Sequence, residues 1–388
     1  MKLQFSPEQD LFRLEVRQWL AANVPKQKLP TYDTKEGFEL HRQWEHKLFE
    51  AGFSMVMWPK EYGGRGCDLI DWLIFEEEYY GAGAPGRVNQ NGQLLLGSTL
   101  LDFGTPEQKA HFLPRMASSE DMWAQAWSEP NAGSDMANIS SKATLDGDHY
   151  VINGQKTWST RAIYADWAFG LFRSQPGSER HHGLSFLLVP LNTEGVTIRP
   201  IKALDGEEAF AEIFFDDVKV PITNRIGDDG KGWHVAMATA GFERGLLLRS
   251  PARFQQPARR LVQLYRDNKA ASDRDPAIGV AVSKCWADAE AYALSAYNTV
   301  GRVSNGEKIG AESSLNKIFW SELDLLISQT AMDILGLTGE LLGSATLAHE
   351  HAYWLDAFLF AQAGPIYAGT NEIQRNIVAE RMLGLPKK

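Results

Sequence analysis

The sequence predicts an α+β fold whose parts follow in the order α, β, α. Apolar residues recur at helical spacing up to about Met116, and turn pairs and aromatic alternation occupy the stretch from about Met122 to Gly227. Beyond Gly230 the helical period returns. The expected divisions are an N-terminal helical domain over 1–120, a middle β domain over 121–228 and a C-terminal helical domain over 229–388. No regular alternation of strand and helix is present, so a doubly wound sheet is not expected.

The first helix starts at Ser6, with Pro7 in its first turn and Gln9 as capping-box partner. Phe12, Val16, Trp19 and Leu20 then repeat at helical spacing, and amphipathic segments follow around Trp44 to Phe53 and Leu69 to Tyr80. In the β region, Asp146-Gly147 and Asn153-Gly154 read as hairpin turns flanking Tyr150-Val151-Ile152, which makes a meander. Leu184, Phe186 and Leu188 alternate along another strand. An aromatic strand over Phe210 to Phe215 is expected to end at Asp216-Asp217-Val218 and Pro221. A long helix passes through Leu315, Phe319, Leu323 and Leu326, after an interrupting loop near Ala270 to Pro276.

Composition narrows the function. The 388 residues are 44% apolar and 23% charged, the profile of a globular protein. A formal net charge of -10 opposes nucleic acid phosphates, so nucleic acid is not an expected partner. Cys67 and Cys285 stand far apart with no zinc spacing around them, which predicts no metal site and suits a reducing cytoplasm. Neither a leader nor a run of roughly 20 apolar residues is evident, so export and membrane insertion are not expected. No Gly-x-Gly-x-x-Gly turn or phosphate loop occurs; Gly227-Asp228-Asp229-Gly230-Lys231-Gly232 lacks the Ser or Thr and reads as a flexible turn between domains.

Two segments of the β region carry the strongest signal. Ala126-Trp127-Ser128-Glu129-Pro130-Asn131-Ala132-Gly133-Ser134-Asp135 is followed by Asn153-Gly154-Gln155-Lys156-Thr157-Trp158-Ser159-Thr160. Together they resemble the two β-domain motifs of the acyl-CoA dehydrogenases, and the α, β, α order matches that family over nearly the whole chain. The resemblance implies a middle β-barrel or sandwich, a C-terminal four-helix bundle and FAD as cofactor. A flavin ring needs an aromatic face and hydrogen-bond donors at its polar edge, tasks that suit Trp158 and Thr160. By resemblance Gln125, Trp127 and Ser128 border the flavin from the first segment, Thr370 and Glu372 meet the cofactor from the C-terminal side, and Ser134 meets the CoA part. An isolated buried Trp would more simply fill a core; the pairing of the motifs favours the cofactor. Glu129 reads as a structural turn carboxylate, not a base.

Ile366-Tyr367-Ala368-Gly369-Thr370-Asn371-Glu372-Ile373-Gln374-Arg375 resembles the family's C-terminal active-site segment, with one departure. Many members place the catalytic glutamate where Ala368 stands. Gly241-Phe242-Glu243-Arg244-Gly245-Leu246 resembles the helix that carries the glutamate in another branch, which implies Glu243 as the base and Arg244 as a contact to CoA. Glu207, Glu208 and Glu372 are weaker candidates, and a surface salt bridge is the plain alternative for Glu243.

Two further departures affect FAD. Asp333-Ile334-Leu335-Gly336-Leu337-Thr338-Gly339 replaces a glutamine and glycine-rich turn, and Leu264-Tyr265-Arg266-Asp267-Asn268-Lys269 stands where an Arg-x-x-Phe-Gly run is usual. These losses resemble heteromeric members that shorten steroid side chains, in which one subunit completes the other's site. The resemblance thus implies α,β-dehydrogenation of an acyl-CoA thioester, straight, branched or steroid-linked. It also implies an electron-transfer flavoprotein as acceptor and a dimer or α2β2 oligomer. An oxygen-using oxidase or monooxygenase of the same architecture and a non-catalytic partner subunit are the alternatives.

Overall fold

The computed structural model describes residues 4–244, 249–268, 275–307 and 309–387. By contact the chain divides into two compact units, one formed by Pro25–Asp68 and Pro85–Glu243, the other by Met1–Val24, Leu69–Ala84 and Arg244–Lys388. Among the described residues no helix is long and apolar enough to cross a membrane.

The first unit holds α2 (Lys35–Glu50), α4 (Gly97–Phe103), α5 (Pro106–Ala117), eight strands and α6 (Gly232–Arg244). The strands are β1 (Trp123–Ala126), β2 (Lys142–Asp146), β3 (His149–Thr160), β4 (Trp167–Arg173), β5 (Leu184–Pro190), β6 (Val196–Ile201), β7 (Phe210–Pro221) and β8 (Arg225–Ile226). They form one sheet in the order β6-β7-β3-β2-β4-β5-β8, with β1 parallel to β4. Tyr150, Ile152, Phe172, Leu187, Ile213 and Val218 meet in its core.

The hairpin expected at Asp146-Gly147 is present: Asp146 pairs with His149 across Gly147, whose φ of 60° suits a two-residue turn. Asn153-Gly154 is not a turn. Gly154 lies inside β3 at φ 145°, and the register with β7 shifts between Ile152 and Gly154. Asn153 is held there by Asp217, donating to its carboxylate at 2.9 Å and accepting from its backbone N–H at 3.0 Å. A Cβ on Gly154 would come within 2.4 Å of Ser141 Oγ, so the glycine serves close approach of two strands. The aromatic strand continues through the Asp216-Asp217 irregularity and ends at Pro221, within the stretch expected to close it. In β5 the alternation of Leu184, Phe186 and Leu188 is not one-sided, because Ser185 and Leu187 are buried as well.

The second unit holds α1 (Pro7–Asn23), α3 (Leu69–Gly81), α7 (Ala252–Asp267), α8 (Pro276–Ser304), α9 (Ser313–Leu335), α10 (Tyr353–Ala361) and α11 (Asn371–Ile377). The capping box is formed: Ser6 Oγ accepts from Gln9 N–H and Gln9 Oε1 from Ser6 N–H. Arg13 ties α1 to α3 through Glu77 and Glu78, both at 2.9 Å. Phe254 and Leu261 of α7, Tyr292 of α8, Trp320 and Ile327 of α9 and Trp354 of α10 share one apolar core, which is the expected four-helix arrangement. The loop expected near Ala270 to Pro276 lies largely outside the described residues.

Candidate active site

The two β-region segments meet. Thr157 N–H donates to Ser128 O at 2.9 Å, and Lys156 Nζ donates to Trp127 O at 3.2 Å. Lys156 completes its three donor positions with Leu171 O at 2.7 Å and the Glu129 carboxylate at 2.9 Å, and no part of it reaches solvent. Glu129 in turn accepts from Ser140 N–H at 2.6 Å, Ser140 Oγ at 2.9 Å and Ser141 N–H at 2.9 Å. Burial alone would raise its carboxyl, but the Lys156 charge and the serine hydrogen bonds outweigh that and hold it at about 2. A carboxylate so committed cannot accept a substrate proton near neutrality, in keeping with its reading as a turn residue. Sequence reasoning gave Lys156 no role. Its signal was phase: it lies in step with the inward-facing Tyr150 and Ile152 of the same strand.

Trp158 occupies the second irregularity of β3, where the register with β7 shifts between Lys156 and Ser159. Its φ is 59°, a backbone region that costs a bulky residue of order 1–3 kcal/mol. The extra residue turns the indole out of the core, so that it is 60% exposed and rests edge-on against Phe210 at 6.0 Å. On the same two segments, Ser159 Oγ and Trp127 Nε1 are buried with no hydrogen-bond partner among the described residues. An outward aromatic face and two unused polar groups carried by the two paired segments fit a planar, polar-edged cofactor. Gln125 is half-buried on β1 and Thr160 half-buried at the end of β3, while Ser134 is exposed in the turn after Gly133.

The remaining residues are scattered. Glu243 and Arg244 end α6, and their side chains lie outside the described residues, as do Leu246 to Leu248. Glu207 and Glu208 lie half-buried between β6 and β7. In the second unit Thr370 caps α11, its Oγ1 accepting from Ile373 N–H at 3.3 Å, and Glu372 is exposed in the first turn. Ala368 adopts a left-handed φ of 57°, and its carbonyl accepts from Gln374 Nε2 at 3.1 Å. Asp333 and Leu337 are exposed at the end of α9, Leu337 by 84%.

A helical, sheet and helical order around this site defines a class, and family models match it throughout. The acyl-CoA dehydrogenase N-terminal domain matches residues 6–120, the middle domain 124–218 and the C-terminal domain 230–383. The chain belongs to the acyl-CoA dehydrogenase family, oxidoreductases that bind FAD and act in lipid metabolism. Among particular proteins it is similar to acyl-CoA dehydrogenase IpdE1 of Mycolicibacterium smegmatis, 41% identical over 97% of this chain and 98% of the relative. It is also similar to the ChsE4-ChsE5 complex from Mycobacterium tuberculosis, at 30% identity and a TM-score of 0.87 over 100% of both chains. The Tcur3481-Tcur3483 steroid ACAD matches with 26% identity and a TM-score of 0.87, again over 100% of both.

Proposed function

We propose that the chain converts an acyl-CoA thioester to its trans-2-enoyl-CoA, with Glu243 removing the α-proton. The observation that carries this is Ala368: the segment that usually holds the family's glutamate has no ionisable group there, which leaves the α6 position as the matching carboxylate. A base for a proton beside a thioester carbonyl must be held in a dry site where its pKa approaches working pH. Bound FAD supplies the acceptor for the hydride leaving the β-carbon. Trp158 and Thr160 face that cofactor, Gln125, Trp127 and Ser128 border it, and Thr370 and Glu372 approach it from the C-terminal side. Ser134 and Arg244 hold the CoA portion. Replacing Trp158 with Ala should weaken FAD binding to the apoprotein at least tenfold by fluorescence titration; unchanged affinity would show that the indole faces something else.

The substrate we favour is a bulky, steroid-linked acyl thioester, because the similar solved structures include the Tcur3481-Tcur3483 steroid ACAD. We also propose a heteromeric assembly in the cytoplasm that passes electrons to an electron-transfer flavoprotein. Asp333 and Leu337 support a second subunit, since a carboxylate repels a pyrophosphate and a side chain replaces a close backbone approach. Two measurements test the reading. Straight, branched and steroid-linked thioesters are screened with bleaching of the flavin absorbance as readout, and the bulky members should react fastest. The chain purified alone should hold less than one FAD per subunit; a homotetramer with full FAD occupancy would end the shared-site idea.

A further inference from the structure

The chain just past β1 is held by a buried cation that the proposed chemistry does not use. The parallel register of β1 with β4 ends at Ala126 and Gly170. The next residues, Trp127 and Leu171, both give their carbonyls to Lys156 Nζ, at 3.2 and 2.7 Å. Glu129 takes the third donor position at 2.9 Å, so the amine meets all its partners only as an ammonium. The Lys156 side chain is wholly buried and that of Glu129 nearly so, with the Phe172 ring centre 4.9 Å from the ammonium. The two charges are spent differently. Glu129 also accepts from Ser140 N–H, Ser140 Oγ and Ser141 N–H, whereas Lys156 directs both of its remaining bonds at backbone carbonyls.

Trp127 O belongs to the Trp127–Ser128 peptide, a planar trans unit in which the Ser128 N–H points away from the carbonyl. Lys156 therefore stands behind this peptide, and the N–H faces the opposite side. The following carbonyl, Ser128 O, is fixed by Thr157 N–H at 2.9 Å, and Glu129 and Ala132 exchange backbone hydrogen bonds at 3.0 Å beyond it. Ser128 itself is half-buried, yet neither its N–H nor its hydroxyl has a hydrogen-bond partner among the described residues. A donor held rigidly from behind is thus left open in front.

We infer that Lys156 sets the strength of the Ser128 N–H as a donor to the flavin, and through it how far the protein favours the reduced cofactor over the oxidised one. The inference rests on the reading above that Ser128 borders FAD. A cation bonded to a peptide carbonyl draws electron density through the amide and leaves its N–H more positive. Reduction places negative charge on the flavin's polar edge, so a strengthened donor there stabilises the reduced state more than the oxidised one. Burial preserves the effect, because no water screens the ammonium from the peptide. Lys156 is a positioning residue, acting on the cofactor only through the Trp127–Ser128 peptide. Glu129 keeps it charged without displacing either carbonyl.

The test uses the FAD-loaded protein with any partner subunit present, and reads the flavin reduction potential by equilibration with a reference dye in the absence of thioester. Glu129→Gln with Lys156→Met removes both charges together and leaves no ion unpaired. It should lower the ratio of reduced to oxidised flavin at a fixed potential about tenfold, a fall of about 30 mV for a two-electron couple. Affinity of the apoprotein for oxidised FAD, by fluorescence titration, should change little. Lys156→Gln is the second variant: Glu129 keeps its serine hydrogen bonds, a neutral donor replaces the cation, and the potential should fall in the same direction. A lysine that only braces the strands predicts otherwise. Affinity for both flavin states would then drop together with the potential unmoved, and that result overturns the inference. Ser128→Ala separates this failure from failure of the site reading. Weakened FAD binding in Ser128→Ala, with an unmoved potential in the Lys156 variants, removes the role of Lys156 and leaves Ser128 at the cofactor. No effect on binding or potential in any of these variants refutes the placement of Ser128, and the inference with it.

Discussion

Glu243→Gln is expected to slow acyl-CoA-driven bleaching of the bound flavin by about 10²- to 10⁴-fold, the usual contribution of a positioned general base. The amide keeps the side chain's shape and removes only its capacity to take a proton, so thioester affinity and FAD content should change little. The expectation is sharp because the competitors have been placed. Glu129 is bound to Lys156 and two serines, Glu372 is exposed on the first turn of α11, and Ala368 offers no acid at all. Glu243→Asp, with a carboxylate withdrawn by one methylene, should fall between wild type and the amide. Anaerobic stopped-flow reduction gives the rate directly. Turnover within twofold of wild type in Glu243→Gln would transfer the role to Glu207 or Glu208.

The second large effect is on stability. Glu129→Gln should cost about 3–5 kcal/mol, because it leaves the Lys156 ammonium enclosed with two carbonyls and no countercharge. The same ammonium lies 4.9 Å from the Phe172 ring centre and cannot swing to water without unpacking the sheet core. The double replacement Glu129→Gln with Lys156→Met should recover part of that loss, and the difference measures the pairing itself. Acid should act in the same direction. The Glu129 carboxyl titrates near about 2 in the fold against an ordinary 4.5, so its stabilisation is complete above about 4.5 and is lost as pH falls towards about 2. Urea midpoints at pH 7 and pH 3 read both effects. A Glu129→Gln midpoint equal to wild type at pH 7 would mean that the pair contributes nothing.

Much of this was legible in the residues. Periodicity located α1, α3, α9 and the C-terminal part of α2, and the capping box at Ser6 was readable because its partners are three residues apart. Asn153-Gly154 was misread for a physical reason: the pair that suits a tight turn also suits an irregular strand, and what decides is Asp217 on a strand far along the chain. In β5, Leu184, Phe186 and Leu188 gave the strand but not its second buried face, which depends on what packs there. The two family motifs of the β region were legible because their residues are adjacent in sequence. Lys156 to Glu129 and Arg249 to Tyr367 were not, since each joins segments tens of residues apart and neither member is unusual alone.

The two irregularities of β3 and β7 have a joint consequence. At the first, β7 carries the additional residue beside Asp217; at the second, β3 carries it beside Trp158. The ladder therefore leaves its original phase after Ile152 and regains it at Ser159, so the ends of the ribbon keep a common alignment while only its middle is displaced. The outward indole is thus half of a compensated frame shift written in backbone. Neither half can be removed alone without carrying the offset along the rest of the ribbon. Lineages that shorten β3 near Trp158 should therefore also shorten β7 near Asp217, which ties the length of one strand to that of its neighbour through geometry rather than through any side-chain contact.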